Sequence, residues 1–169
     1  LKKISDMGHE IGTHSSTHPY MSKLSRENVI KELSSSTEVI ESIIEKKINL
    51  FRPPYGDYND QLITTAKELG LYTIQWDVDS LDWKEYGAEE MKQHILDHSQ
   101  LTSGAILLFH NDTAFTALVL DDILTELEKQ GYIVGTVSEL ILNEPYEIDS
   151  NGCQYKGTHR CAFRTHGKS

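Results

Sequence analysis

The feature that most constrains the fold of this chain is the alternation of strand-like and helix-like segments along its first 143 residues. Short runs rich in β-branched and aromatic residues, typical of strands, are followed by segments whose apolar residues recur with a period near 3.6. Strands are predicted at 10–13, 48–51, 71–78, 104–109 and 132–134. Such an alternation indicates an α/β fold with a parallel sheet or barrel.

The predicted helices carry recognisable ends. Ser25 and Asn59 are expected N-caps, because their side-chain oxygens can accept hydrogen bonds from the free N–H groups of a first turn. Further helices are predicted over 88–98, 114–130 and 137–142. From residue 144 onward the alternation stops. We therefore expect one domain over 1–143 and a polar tail over 144–169.

Composition narrows the classes of partner. The chain has 16 Lys+Arg against 26 Asp+Glu and a formal net charge of −10. An acidic balance argues against a nucleic-acid backbone or an anionic membrane as the main partner. The longest apolar run, 104–109, is far shorter than the roughly 20 residues of a membrane-spanning helix, so no span is predicted.

Chemically reactive side chains accompany the ends of four predicted strands. They are His14 and His18 after the first, Arg52 and Tyr55 after the second, Asp77, Asp79, Asp82 and Trp83 at the third, and His110 after the fourth. Because ligands bind at the carboxyl ends of strands in parallel α/β folds, we expect these groups to converge on one face.

Two pairs of histidines share a spacing of four residues. His14 and His18 lie on a loop, since Pro19 disfavours helical geometry at His18, and such a pair can bind one metal ion. A hydrogen-bonded turn with two ordinary histidines is the alternative. His94 and His98 lie on a predicted helix and are interpreted as part of a half-solvated helix face.

The segment Arg-Pro-Pro-Tyr-Gly at 52–56 predicts a rigid loop. Its two prolines fix φ, and Gly56 permits a backbone conformation that other residues resist. Such a loop would hold Arg52 and Tyr55 in place. A plain turn with Arg52 at the surface is the alternative.

His110, which ends an apolar strand, is a candidate general acid or base if a carboxylate orients its other ring nitrogen. Asp77, Asp79 and Asp82 are the nearest predicted carboxylates. The alternative is a histidine hydrogen-bonded to backbone.

Four segments together carry a family resemblance. They are His-Ser-Ser-Thr-His at 14–18, Arg-Pro-Pro-Tyr-Gly at 52–56, Asp-Ser-Leu-Asp-Trp at 79–83 and Leu-Phe-His at 108–110. In order and approximate spacing they resemble the H-[ST]-x-x-H, R-P-P-[YF]-G, D-x-x-D-W and L-x-H motifs of the NodB-type polysaccharide deacetylases, carbohydrate esterase family 4. The resemblance covers about 1–142, with segments 75–83 and 107–112 similar to the sporulation-associated branch. It implies a distorted (β/α)7 barrel, here lacking its first one or two strands.

The resemblance implies a metal-dependent hydrolase that removes N-acetyl groups from an N-acetylated polysaccharide, such as peptidoglycan or a chitin-like polymer. His14 and His18 would bind the divalent metal, expected to be zinc. The backbone N–H of Tyr55 would help hold the oxyanion. Trp83 and Leu108 would line the pocket for the acetyl methyl group.

The resemblance also implies three catalytic residues. His110 would protonate the leaving amine, Asp82 would fix the tautomer of His110, and Arg52 would hold the catalytic base. The family's T-F-D-D-G motif, which supplies that base and a third metal ligand, does not occur in this sequence.

Two hypotheses follow from this departure. In the first, an upstream segment or a separate chain completes the barrel and the enzyme is active, and residues 1–169 alone are not a stable, active monomer. In the second, the domain is a non-catalytic glycan-binding pseudoenzyme or an inactive fragment. A different zinc hydrolase is disfavoured, because no His-Glu-x-x-His motif is present.

The two cysteines, Cys153 and Cys161, lie close together in the predicted tail. A disulfide is expected from this proximity and from the secreted or cell-envelope location that the resemblance implies. Two free thiols, or a small zinc site with His159 and His166, are the alternatives.

Overall fold

The computed structural model describes residues 1–149, 152–156 and 163–164 of the 169-residue chain. The chain forms two compact units, Leu1–Gln75 and Trp76–Ser169. Each unit combines a pair of parallel strands with helices. None of the described helices has both the length and the apolar character needed to cross a lipid bilayer.

The first unit contains three helices, two one-turn 3₁₀ segments and two short strands. They are α1 (Lys2–Asp6), the 3₁₀ segment Met21–Lys23, α2 (Arg26–Ile44), β1 (Leu50–Phe51), the 3₁₀ segment Pro54–Gly56, α3 (Asp60–Glu68) and β2 (Tyr72–Thr73). Strands β1 and β2 pair in parallel, with Phe51 opposite Thr73. Thr13 forms a further parallel bridge with Phe51, so β1 has a partner on both of its edges.

The helix caps of this unit agree with the sequence. The Ser25 hydroxyl accepts a hydrogen bond from Asn28 N at 3.4 Å, and the Asn59 side chain accepts one from Leu62 N at 2.9 Å. Gly70 follows α3 with φ of +77°, a conformation that favours glycine after a helix end. Both predicted N-caps are therefore confirmed.

An apolar cluster joins the helices of the first unit to its strands. Its buried members are Met21, Val29, Leu33, Phe51, Leu62, Ala66 and Leu71. Burying a large aliphatic or aromatic side chain contributes about 1.5–3 kcal/mol relative to leaving it exposed. This cluster therefore supports β1, whose last residue, Phe51, directly precedes the candidate residue Arg52.

The second unit repeats the combination of parallel strands and helices. Its elements before residue 143 are β3 (Val78–Asp79), a 3₁₀ segment (Asp82–Lys84), α4 (Ala88–Leu96), β4 (Leu107–Leu108), α5 (Thr116–Lys129) and α6 (Val137–Leu140). Strands β3 and β4 pair in parallel, with Val78 opposite Leu107. Its buried apolar cluster consists of Val78, Met91, Ile95, Val119, Ile123 and Leu127.

The segment predicted to be a polar tail contains three short antiparallel strands. They are β5 (Glu147–Ile148), β6 (Cys153–Tyr155) and β7 (Phe163–Arg164), in the order β5-β6-β7. Gln154 is buried, and its side-chain oxygen accepts a hydrogen bond from Leu142 N at 2.7 Å. Cys161 lies outside the described residues, so its predicted disulfide with Cys153 stays a prediction.

The observed strands are shorter than the predicted ones. The predicted strand 71–78 divides into β2 and β3, because Ile74 N donates to Phe51 O whereas Asp77 N donates to Ile106 O. The predicted strand 132–134 is wrong, since it pairs with no described residue and Ile133 is 98% exposed. A three-residue apolar run is too short to separate a strand from a connection.

Substitution of a core residue of α2 tests this packing. Leu33→Ala removes a fully buried side chain, so we expect the free energy of unfolding to fall by about 2–5 kcal/mol. The control is Val39→Ala on the same helix, where Val39 is 58% exposed and the expected change is within about 0.5 kcal/mol. Urea denaturation of the full-length protein measures both, and equal effects would contradict the assigned core.

Candidate active site residues

In the first unit, His14 follows directly on the bridge between Thr13 and Phe51. Thr13 N donates to Leu50 O at 2.8 Å, and Arg52 N donates to Thr13 O at 3.0 Å. His14 Nδ1 lies 2.6 Å from the carbonyl oxygen of Arg52. With its proton on Nδ1, His14 donates to that carbonyl and presents an unprotonated Nε2, which is the usual arrangement of a metal-binding histidine.

The other predicted residues of this unit lie beside His14. The ring centroid of His18 is 4.9 Å from that of His14 and 4.6 Å from that of Tyr55. Tyr55 stacks on Tyr20 at 4.2 Å, and Lys23 Nζ lies 4.7 Å from the centroid of the Tyr20 ring. The two predicted metal ligands and the loop at 52–56 are therefore brought together, and Tyr20 is a neighbour that the sequence analysis did not single out.

Left-handed backbone conformations occur at three non-glycine residues of this cluster. Ser15 has φ of +69°, His18 of +57° and Tyr55 of +60°. For residues with a Cβ, such conformations cost of order 1–3 kcal/mol each, and they persist where surrounding contacts determine them. The loop at 14–18 therefore depends on the groups that hold it.

Glu32 on α2 is the main acceptor for that loop. Its Oε2 accepts hydrogen bonds from Ser16 N and Thr17 N, both at 2.9 Å, and its Oε1 accepts one from Thr17 Oγ1 at 2.8 Å. Burial opposes ionisation of Glu32, but the hydrogen bonds from Thr17 and Ser16 outweigh it and hold the pKa of Glu32 below its usual range. The sequence analysis missed Glu32, although its spacing from Ser35 and Ser36 marks a polar stripe on a helix.

In the second unit, Asp82 and His110 form a hydrogen-bonded pair. Asp82 Oδ1 lies 2.8 Å from His110 Nδ1, and Asp82 Oδ2 accepts from His110 N at 2.7 Å and from Thr116 Oγ1 at 2.8 Å. The Asp82 side chain is fully buried. Burial opposes its ionisation, but the hydrogen bonds from His110 and Thr116 outweigh it and hold the pKa of Asp82 below its usual range. Thr116 is a further residue that the sequence analysis missed.

The other two candidate carboxylates have different partners. Asp77 Oδ2 accepts a hydrogen bond from Ile106 N at 2.9 Å, which ties the start of β3 to the start of β4. Asp79 Oδ1 accepts from Leu81 N at 2.9 Å, within its own turn. Of the three carboxylates near the end of β3, Asp82 is the one that contacts His110.

The two residues predicted to line the acetyl pocket differ in exposure. Leu108 is buried in β4, whereas Trp83 is 56% exposed. Lys84 Nζ lies 5.1 Å from the centroid of the Trp83 ring. The Trp83 ring is thus available to a ligand, while Leu108 is part of the packed strand.

The second histidine pair is engaged with backbone. His94 Nε2 lies 3.0 Å from the carbonyl oxygen of Asp79, and His98 Nδ1 accepts from Gln100 N at 3.2 Å. The two rings lie 5.4 Å apart. Both side chains are half-buried, but α4 ends at Leu96, so the interpretation as part of a half-solvated helix face holds for His94 and is wrong for His98, which lies beyond the helix.

His14 and His18 fit a divalent metal as a pair of ligands. The evidence is the 4.9 Å separation of their rings and the carbonyl that holds the Nδ1 side of His14. Within residues 1–149, 152–156 and 163–164, no group of three or more His, Cys, Asp or Glu side chains is placed to hold a metal ion. A site built on these two histidines therefore needs at least one further ligand from outside the described residues.

Comparisons with known proteins identify a family for this chain. A sequence model described as polysaccharide deacetylase matches residues 1–74. A peptidoglycan-N-acetylglucosamine deacetylase of Bacillus cereus is 38% identical over 146 residues, which are 83% of this chain and 67% of that protein. PdaA of Bacillus subtilis, a peptidoglycan-N-acetylmuramic acid deacetylase, is 35% identical over 153 residues, 89% of this chain and 58% of that protein.

A solved structure extends the comparison to the fold. A pseudoenzyme of carbohydrate esterase family 4 from Bacillus anthracis matches with a TM-score of 0.78 and 36% identity, over 82% of this chain and 48% of that chain. A variant of it with restored enzymatic activity matches with the same TM-score. The predicted α/β fold class is therefore confirmed. The chain spans 43% and 58% of the first two curated relatives that it matches.

The contribution of the buried Asp82 carboxylate to the free energy of unfolding should depend on pH. In Asp82→Asn the side chain can no longer accept hydrogen bonds on both atoms, so we expect the free energy of unfolding at pH 7 to fall by about 1–3 kcal/mol. Because the folded-state pKa of Asp82 is lowered, its stabilisation is present above the unfolded value of about 3.9 and is lost as pH falls through the folded value.

The measurement is urea denaturation of both proteins between pH 3 and pH 7. The difference in unfolding free energy should be constant above about pH 5 and should shrink below about pH 4. Asp121→Asn, at an exposed position of α5, is the matched control and should show little difference at any pH. A difference for Asp82→Asn that grows on acidification would reject the prediction.

Proposed function

Because the chain belongs to the NodB-type polysaccharide deacetylases, carbohydrate esterase family 4, we propose that it takes part in metal-dependent removal of N-acetyl groups from a cell-wall polysaccharide. The observation that carries the proposal is the hydrogen bond between the buried carboxylate of Asp82 and His110 Nδ1. A buried carboxylate that orients a half-exposed imidazole is the arrangement that general acid catalysis requires.

His110 is the proposed general acid. His110 Nδ1–H donates a hydrogen bond to Asp82 and keeps its proton. The Nε2 atom therefore carries the proton that passes to the leaving amine. The ionised Asp82 accepts the hydrogen bond from Nδ1 and so fixes this tautomer. Thr116 and His110 N in turn hold the carboxylate in place.

His14 and His18 are the proposed ligands of the divalent metal, with zinc as the expected ion. The contact between His14 Nδ1 and the Arg52 carbonyl supports the tautomer that carries its proton on Nδ1, in which the unprotonated Nε2 is the atom that would bind the metal. When bound, the metal polarises the acetamide carbonyl and lowers the pKa of water. We propose that these two histidines serve the same reaction as His110.

The remaining predicted residues have supporting roles in this proposal. Tyr55 is the second residue of a 3₁₀ segment, where backbone N–H groups lack an intrahelical acceptor, so its N–H is suited to the oxyanion. Trp83 and Leu108 would contact the acetyl methyl group. The Arg52 guanidinium would hold a catalytic base that, like the third metal ligand, comes from an upstream segment or a separate chain.

The proposed substrate is peptidoglycan, and the proposed location is the cell envelope or the exterior. Both rest on the relatives from Bacillus cereus and Bacillus subtilis, which are named as peptidoglycan deacetylases. The association with sporulation and the domain limits at 143 and 144 stay predictions.

A non-catalytic glycan-binding role is the second candidate function. The observation that favours it is the match to the Bacillus anthracis pseudoenzyme. The two candidates differ in one measurable respect, because a non-catalytic glycan-binding domain would bind the glycan without releasing acetate.

The decisive assay measures acetate release from N-acetylglucosamine oligomers and from peptidoglycan, with added zinc, by residues 1–169 together with the segment or chain that supplies the base and the third metal ligand. We expect release, and we expect His110→Ala to lower kcat by about 10²–10⁴-fold through loss of the general acid. Zinc affinity of that variant should be unchanged. His98→Ala, which alters a histidine outside the proposed reaction, is the control and should retain kcat. Glycan binding without acetate release would favour the second candidate, and full activity of His110→Ala would exclude the proposed acid.

A further inference from the structure

One face of α2 carries three polar residues, each of which contacts the loop at 14–18 or the residue that precedes it. They are Glu32, Ser35 and Ser36, whose spacing of three and four places them next to one another on a helix. Between them lies Leu33, which is fully buried in the apolar cluster of the first unit. The polar face is therefore anchored to the core of the same unit that carries the loop.

The two serines fix the strand end and the middle of the loop. Ser36 Oγ lies 2.6 Å from Thr13 Oγ1 in a buried contact, and Ser35 Oγ lies 2.6 Å from Ser16 Oγ. Each α2 hydroxyl already donates to a carbonyl of its own helix, Ser35 to Lys31 O at 2.7 Å and Ser36 to Glu32 O at 3.0 Å. Since a hydroxyl has a single proton, the hydroxyls of residues 13 and 16 are the donors in these contacts.

Glu32 fixes the part of the loop that lies between the two histidines. It accepts hydrogen bonds from Ser16 N, Thr17 N and Thr17 Oγ1. Charge-assisted hydrogen bonds of this kind are stronger than those between neutral groups. Three such bonds on two adjacent residues leave the loop little freedom to rotate.

The loop needs this restraint because its two flanking residues hold unfavourable backbone angles. Ser15 and His18 both have positive φ, and His18 N donates a hydrogen bond to Ser15 Oγ at 3.0 Å. Without an external anchor, residues with a Cβ relax toward negative φ. Relaxation at Ser15 or His18 would move the His18 imidazole away from that of His14.

We propose that Glu32 is a positioning residue that sets the relative placement of His14 and His18 for binding a divalent cation. It touches neither imidazole and acts through Ser16 and Thr17. The inference rests on the proposed function for the identity of the ligand, a divalent metal ion such as zinc. It adds a residue of α2, outside the four motifs, to the groups on which metal affinity depends.

The test compares zinc affinities of the full-length protein and its variants by competition with a chromophoric chelator. Glu32→Gln keeps the side-chain shape but replaces one acceptor oxygen by an amide donor facing backbone N–H groups. We expect its zinc affinity to fall by about 10–100-fold, the range found when groups that orient metal ligands are altered. Thr17→Val, which removes one of the three donors, should give a smaller fall in the same direction.

Glu38→Gln, at an exposed position of the same helix, is the matched control and should bind zinc like the unsubstituted protein. The visible absorption of the Co²⁺-loaded proteins provides a second readout, since displaced imidazoles change the ligand geometry that this spectrum reports. Thermal unfolding of the metal-free proteins separates this effect from a loss of folding.

Unchanged zinc affinity and an unchanged Co²⁺ spectrum in Glu32→Gln would overturn the inference. An affinity that falls only in proportion to lost folded protein would overturn it as well. Acetate release is measured separately from zinc affinity. If the unsubstituted protein binds zinc without releasing acetate, the proposed deacetylation is overturned and the proposed role of Glu32 is not.

Discussion

Parallel pairing of short strands is the constraint on which the site residues of each unit depend. Two strands that run in the same direction end at the same edge, so the residues that follow them meet there. In the first unit, Thr13 bridges Phe51, and a Cβ on Gly12 would lie 2.9 Å from the carbonyl oxygen of Leu50. The backbone segments that precede the loop at 14–18 and the loop at 52–56 approach each other closely, and this approach requires glycine at position 12.

A carboxylate with three hydrogen-bond donors organises the histidines of each unit. An ionised carboxylate only accepts hydrogen bonds and can receive several, so it can tie together groups that are distant in sequence. Asp82 receives its donors from His110 and Thr116 and contacts the imidazole directly. Glu32 receives its donors from the backbone and hydroxyl of the loop between two histidines. The hydrogen bonds of Asp82 fix the position of a proton on His110. Those of Glu32 restrain the loop that carries the two histidines.

Much of the fold and part of the candidate site could be predicted from short-range patterns. The caps at Ser25 and Asn59, the helices that they begin and the parallel pairing agree with the sequence analysis. The exposed segment around Ile133 was wrongly predicted as a strand, because three apolar residues do not specify a pairing partner. The other predicted strands were longer than the observed ones, because hydrogen-bonded pairing and not composition decides where a strand ends.

The amino-acid sequence alone shows which chemical groups follow each strand, since motif order, turn residues and apolar periodicity are properties of neighbouring residues. It therefore identified both histidines of the loop at 14–18, the rigid loop at 52–56 and His110. The contact of Asp82 with His110, and the hydrogen bonds that Thr116 and Glu32 add, are visible in the folded chain alone. The partners in these contacts are 15 to 34 residues apart in sequence. Their meeting depends on how helices pack against strand ends, which no local pattern encodes.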